Sequence, residues 1–154
     1  MPGGWTPLAP GANVSRRHLV GKINSHRDLV VWQKAMDLAE VAHRLARHLP
    51  RPEATAIVFQ MTRAAVSVPA NIAEGHARGG RKSYANFLTI ARGSLMELQT
   101  YLLLAARLGY LDVKQSGPAL DLVAEISKML TVLRARVQAS GDPAAKQRPL
   151  EPVP

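Results

Sequence analysis

Between Trp32 and Val137 apolar residues return every three or four positions, the period of helices that bury one face. Four segments carry it. The first, about Asp28 to His48, turns Trp32, Ala35, Met36, Ala39, Ala42, Leu45, Ala46 and the following Leu49 to one side. Asp28 is its candidate N-cap, and the run LPRPE stops it. The second starts near Pro52–Glu53, since proline is tolerated in a first turn. It directs Val58, Met61, Thr62, Ala65, Val68 and Ile72 inward, and Gly75 is the expected C-terminal end. The third, Arg81 to Leu108, carries Tyr84, Phe87, Leu88, Ala91, Leu95, Leu98, Leu102, Ala105 and Leu108, with Gly109 to close it. The fourth, Pro118 to Ala139, carries Leu120, Val123, Ile126, Leu130, Leu133 and Val137. No segment alternates like a strand pair. Short links between long helices favour antiparallel neighbours, so the pattern predicts an all-α, antiparallel up-down four-helix bundle.

One stretch tests that reading. SVPANIAEGHARGG, Ser67 to Gly80, sets a proline inside the second segment. Pro69 cannot donate to the carbonyl of Ala65, and its ring crowds the same turn. Val68 and Ile72 nevertheless keep the phase of Val58, Met61 and Ala65. The expectation is a helix kinked at Pro69 but continuous, with Ser67 returning a hydrogen bond to the carbonyl of Arg63.

The same segment carries a polar line. Gln60, Arg63, Ser67, Asn71, Glu74 and Arg78 are spaced 3, 4, 4, 3 and 4 and share one helix face. Arg63 and Glu74 lie about 16 Å apart along an ideal helix, too far to pair. Glu97 of the third segment is a candidate partner for Arg63. A polar seam between helices or subunits is the reading this line favours.

Outside the four segments the composition changes. Residues 1–27 hold three Pro and four Gly without an apolar period, and residues 140–154 hold four Pro. They read as a flexible basic extension and a disordered tail around a bundle at 28–139. The start of the chain lacks an apolar core of signal-peptide length, and the longest apolar run, Leu102–Ala106, cannot span a bilayer. Without cysteine, disulfides and thiolate chemistry are out. These features predict a soluble, cytoplasmic protein with no membrane partner.

Charge then points to a partner. Lys and Arg outnumber Asp and Glu by 20 to 11, a formal +9. Residues 1–27 carry four basic and no acidic side chains, and residues 28–139 carry 14 basic and 9 acidic ones. Arginine, the better fork for phosphate, leads lysine 14 to 6. Such a balance is the footprint of a polyanion partner. Arg78, Arg81 and Lys82 stand at the start of the third segment, where helix N-termini attract anions. With Arg92, and with Arg16 and Arg17 of the extension, they are the candidate nucleic-acid-binding residues. GHARGGRK does not match a nucleotide-binding P-loop, and no strand precedes it. The few aromatics of the four segments fall mostly on apolar stripes, so contact through backbone phosphates is expected rather than base stacking.

Catalytic patterns are missing. No two histidines are four apart on a helix, and Glu40–His43 is a single Glu-x-x-His where a di-iron bundle needs two. No GxSxG elbow occurs. The sequence therefore predicts no enzyme, no metal and no cofactor.

Three blocks, RDLVVWQKAMDLA, QMTRAAVSVPANIAEGHAR and YANFLTIARGSLMELQTYLLLAARLGYL, closely resemble the four-helix bundle proteins encoded in bacterial 23S rRNA intervening sequences. The accessory variability protein of diversity-generating retroelements is similar. Gln60, Arg63, Ala64, Ser67, Pro69, Asn71, Ile72, Glu74, Gly75, Arg92, Gly93, Ser94 and Glu97 fall on the shared motif. The resemblance implies a ring-like homopentamer, and for the retroelement members nucleic-acid binding beside a reverse transcriptase. It transfers no catalytic residue. Gly93–Ser94 is expected at a close approach of a neighbouring helix or subunit. The expected function is a non-catalytic oligomeric bundle binding RNA or DNA through a basic surface. The alternative is a protein–protein scaffold, for example one docking a reverse transcriptase.

Overall fold

The computed structural model describes residues 23–140. Four helices follow one another: α1 (Val30–Ala46), α2 (Thr55–Arg78), α3 (Arg81–Arg107) and α4 (Val113–Ala139). Each packs on two others, α1 and α3 both touching α2 and α4, which is the predicted up-down four-helix bundle. Among the described residues there is no strand, and no helix is long and apolar enough to cross a membrane. Arg16 and Arg17, like most of the expected extension and tail, lie outside the described residues.

The helix ends follow local chemistry. Before α1, His26–Asp28 form a 3-10 turn. Ser25 Oγ accepts from the Arg27 N–H, and Asp28 Oδ2 accepts from the N–H groups of Asn24 and Ser25. Asp28 therefore serves this turn and is not the N-cap of the first helix; Leu29 holds that position without a side-chain cap. The α2 helix runs unbroken through Pro69. It passes the expected stop at Gly75 and ends at Gly79, whose φ of 68° is the left-handed geometry a helix terminus needs. The α4 helix starts five residues before the expected Pro118. Asp112 and Gln115 cap each other's backbone N–H groups at 2.8 Å, a capping box strong enough to start a helix ahead of the proline.

The core is built from large aliphatics separated by alanines. Leu38, Met61, Val68, Ile72, Leu88, Leu95, Leu98, Leu102, Val123, Ile126 and Leu130 are fully buried, and Ala35, Ala42, Ala64, Ala91, Ala105 and Ala119 let the backbones approach. Each buried leucine contributes roughly 1.5–3 kcal/mol relative to exposure. The expected stripe of α1 largely holds: Ala35, Ala39, Ala42, Leu45, Ala46 and Leu49 are buried, joined by Val31 and Leu38, and only Met36, 41% exposed, turns outward. Leu108 also lies outside the core, 49% exposed, just beyond the end of α3.

Candidate nucleic-acid interface

The polar line on α2 resolves into three short networks. Arg63 Nε donates to Gln60 Oε1 at 3.0 Å, and its Nη2 reaches across to Glu97 on α3. Ser67 Oγ lies 2.8 Å from Ser94 Oγ. Asn71 Nδ2 donates to the Ser67 carbonyl at 2.8 Å and to Ser67 Oγ at 3.0 Å. The expected return of Ser67 to the Arg63 carbonyl does not form, because Ser94 and Asn71 engage the hydroxyl. Arg78 Nε donates to Glu74 Oε1 at 2.7 Å, with its guanidinium 5.0 Å from the centre of the Phe87 ring. The line is thus a seam between α2 and α3 in which both arginines have carboxylates.

Gly75 explains how close the two helices come. A Cβ placed there would sit 2.7 Å from Phe87 Cβ and 2.9 Å from Tyr84 Cδ2. Gly93, expected at the close approach, has nothing within 4 Å of such an atom; within one chain the tight glycine is Gly75. Near it, Trp32, His26, His76 and Tyr84 meet edge to face in that order, with ring centres 5.1, 6.4 and 6.0 Å apart. This cluster fastens the 3-10 turn to the ends of α2 and α3. Tyr84 Oη is buried with no hydrogen-bond partner, and desolvation pushes its pKa above the ordinary 10.0.

On the other side of α3 the chemistry is different. Arg81, Lys82, Ala85, Asn86 and Thr89 of α3 face Arg134 and Gln138 of α4 across a cleft of about 600 Å³. A second depression at its mouth is lined by Gly80, Arg81, Lys82, Ser83 and Asn86. No carboxylate lines either one. Among the described residues, none of Arg81, Lys82, Arg92 and Arg134 forms an ion pair. The first turn of α3 has no acidic residue and no side-chain cap. Placing two cations there opposes the helix dipole by roughly 0.3–1 kcal/mol each. The missing acid is shared by all four helices; the two adjacent cations are what sets this turn apart.

The residues proposed from sequence therefore separate. Arg81 and Lys82 line the cleft, Arg78 is held by Glu74 and Phe87, and Arg92 lies exposed about 16 Å further along α3. Arg134, Asn86, Thr89 and Gln138 are the residues sequence reasoning missed. Their only signal was polarity at positions flanking the apolar stripe. No group of three metal-ligating side chains occurs among the described residues. His43 contacts the Ala39 carbonyl while Glu40 pairs with Arg44.

The four helices, with a polar seam on one side of α3 and a basic cleft on the other, form an antiparallel all-α bundle. The chain belongs to the family described as 23S rRNA-intervening sequence protein, whose model matches residues 27–132. Among solved structures it is similar to a protein of unknown function from the S23 ribosomal protein family of Bacteroides thetaiotaomicron. The two share 26% identity with a TM-score of 0.64, over 68% of this chain and 98% of the other. No curated protein matches it.

Proposed function

We propose that this protein is a non-catalytic, oligomeric nucleic-acid-binding bundle that acts in the cytoplasm. The observation that carries the reading is the α3/α4 cleft: three cations, two side-chain amides and a hydroxyl, with no carboxylate among them. Phosphate oxygens suit the cations and the two amides, the Thr89 hydroxyl already donating to the Ala85 carbonyl, and a polyanion offers them in series. The formal +9 charge adds long-range attraction.

Oligomerisation is supported by the outer faces of α2 and α3, where Phe59 is 64%, Val66 48% and Ile90 43% exposed. A homopentamer agrees with the family resemblance, and each contact should bury more than about 1,000 Å². The same exposed residues favour a second reading, a scaffold that docks a protein such as a reverse transcriptase. The two separate in one experiment: fluorescence anisotropy of labelled RNA and DNA at two salt concentrations. Steeply salt-dependent binding supports the first. No binding at low salt removes it and leaves the scaffold.

A further inference from the structure

The geometry points to one form of nucleic acid: we infer that the α3/α4 cleft grips the phosphate ridge of a paired, double-stranded segment, with Arg134 of α4 opposing Arg81 and Lys82 of α3. This deepens the proposed function and rests on it.

Three observations carry the inference. First, the cations stand on both walls. Arg81 and Lys82 come from the start of α3, and Arg134 comes from near the end of α4. A ridge of phosphates lying between two helices meets charge from both sides, whereas a flat basic face meets it from one. Second, the length fits. Arg81 to Thr89 covers about 12 Å of helix, and successive phosphates advance about 3.4 Å per strand along a duplex axis. Along the ridge itself, which winds around that axis, phosphates lie further apart, so the cleft has room for about two phosphates of one strand. Asn86 and Gln138 supply neutral amide donors beside the cations, while the Thr89 hydroxyl donates to the Ala85 carbonyl.

Third, no aromatic residue lines the cleft. Single-stranded nucleic acid is held largely by bases stacking on exposed rings. Here Trp32, Tyr84 and His76 are packed together under α2, and Phe87 lies under the Arg78 guanidinium. An unpaired strand would gain charge contacts in the cleft but no stacking, and its backbone would first have to be ordered. A duplex presents the same phosphates already in register.

The test uses the full chain and three labelled 20-mers: an RNA duplex, a DNA duplex and an unstructured single strand of the same length. Affinity is read by anisotropy over a series of salt concentrations. A duplex is expected to bind at least about tenfold tighter than the single strand. Each of Arg134→Ala and Lys82→Ala should lower the slope of log affinity against log salt by about 0.9 on the DNA duplex, one released counterion each. Arg78→Ala should leave that slope unchanged. All three side chains are exposed at helix surfaces, and circular dichroism checks that each variant keeps its helices. Equal or tighter binding of the single strand overturns the duplex assignment while the nucleic-acid reading stands. A slope lost with Arg78 and kept with Arg134 overturns the cleft. Absence of binding to all three probes at low salt overturns the inference together with the reading beneath it.

Discussion

The two sides of α3 use nearly the same residue types for opposite ends. Toward α2 stand Arg63, Arg78, Gln60, Asn71, Ser67 and Ser94; toward α4 stand Arg81, Arg134, Asn86, Gln138 and Thr89. What separates them is carboxylate. Glu97 and Glu74 answer the arginines of the seam, and nothing answers those of the cleft. The seam also closes around Gly75, where the helices leave no room for a methyl group. Arginine by itself therefore does not mark a binding surface, since two of the arginines here are answered by carboxylates.

That contrast can be broken at several points. The largest effect is expected at Gly75. Gly75→Ala forces a methyl against Phe87 and Tyr84; overpacking costs about 1–3 kcal/mol, against up to about 1 kcal/mol returned by helix propensity. A net fall in the urea midpoint should follow. Gly93→Ala, in open space on the same α3, should instead raise the midpoint by up to about 1 kcal/mol of stability. If Gly93→Ala also weakens the oligomer by light scattering, a second copy needs that space.

A smaller effect is expected at Tyr84. Its buried hydroxyl has no partner, and removing an unsatisfied polar group recovers about 1 kcal/mol, so Tyr84→Phe should be more stable at neutral pH. The sign with pH follows from the raised pKa. The folded chain holds the phenol proton more tightly than the unfolded one. Stability from this group is full below the ordinary 10.0 and is lost as pH rises through the higher folded value. Tyr84→Phe should lose less stability above pH 10 than the parent chain, by denaturation at pH 9 and pH 11.

The smallest effect is expected at the seam's ion pair. Arg63 and Glu97 are 53% and 34% exposed, so Glu97→Gln should cost no more than about 0.2–1 kcal/mol. It should also release Arg63 as an unpaired cation and raise the salt slope of polyanion binding. A loss above 2 kcal/mol would mean that the pair is structural to a degree its exposure does not suggest.

The bundle was legible in the sequence because the apolar period marked the buried face of each of the four helices. Continuity through Pro69 was legible for the same reason: Val68 and Ile72 stay in register. The helix ends were less legible, since α2 runs past Gly75 to Gly79 and α4 starts from its capping box ahead of Pro118. Within one chain the crowded glycine is Gly75 and not Gly93, because a glycine's sequence neighbours say nothing about which helix lies across from it. The candidate site was half legible. Arg81 and Lys82 announced themselves by sitting in one run, and Arg134 and Gln138 could not, being about fifty residues away and joined to that run only by the packing of α4 on α3.

The uncapped, cation-bearing first turn of α3 has a thermodynamic corollary. A phosphate seated there would satisfy open N–H groups and quench the repulsion that Arg81 and Lys82 impose on the helix end. A ligand that binds only the folded chain raises its melting point in proportion to the logarithm of ligand concentration. Binding and folding at this end of the bundle would then be one linked equilibrium, and the two-glycine turn would be the part of the protein whose order reports whether the cleft is filled.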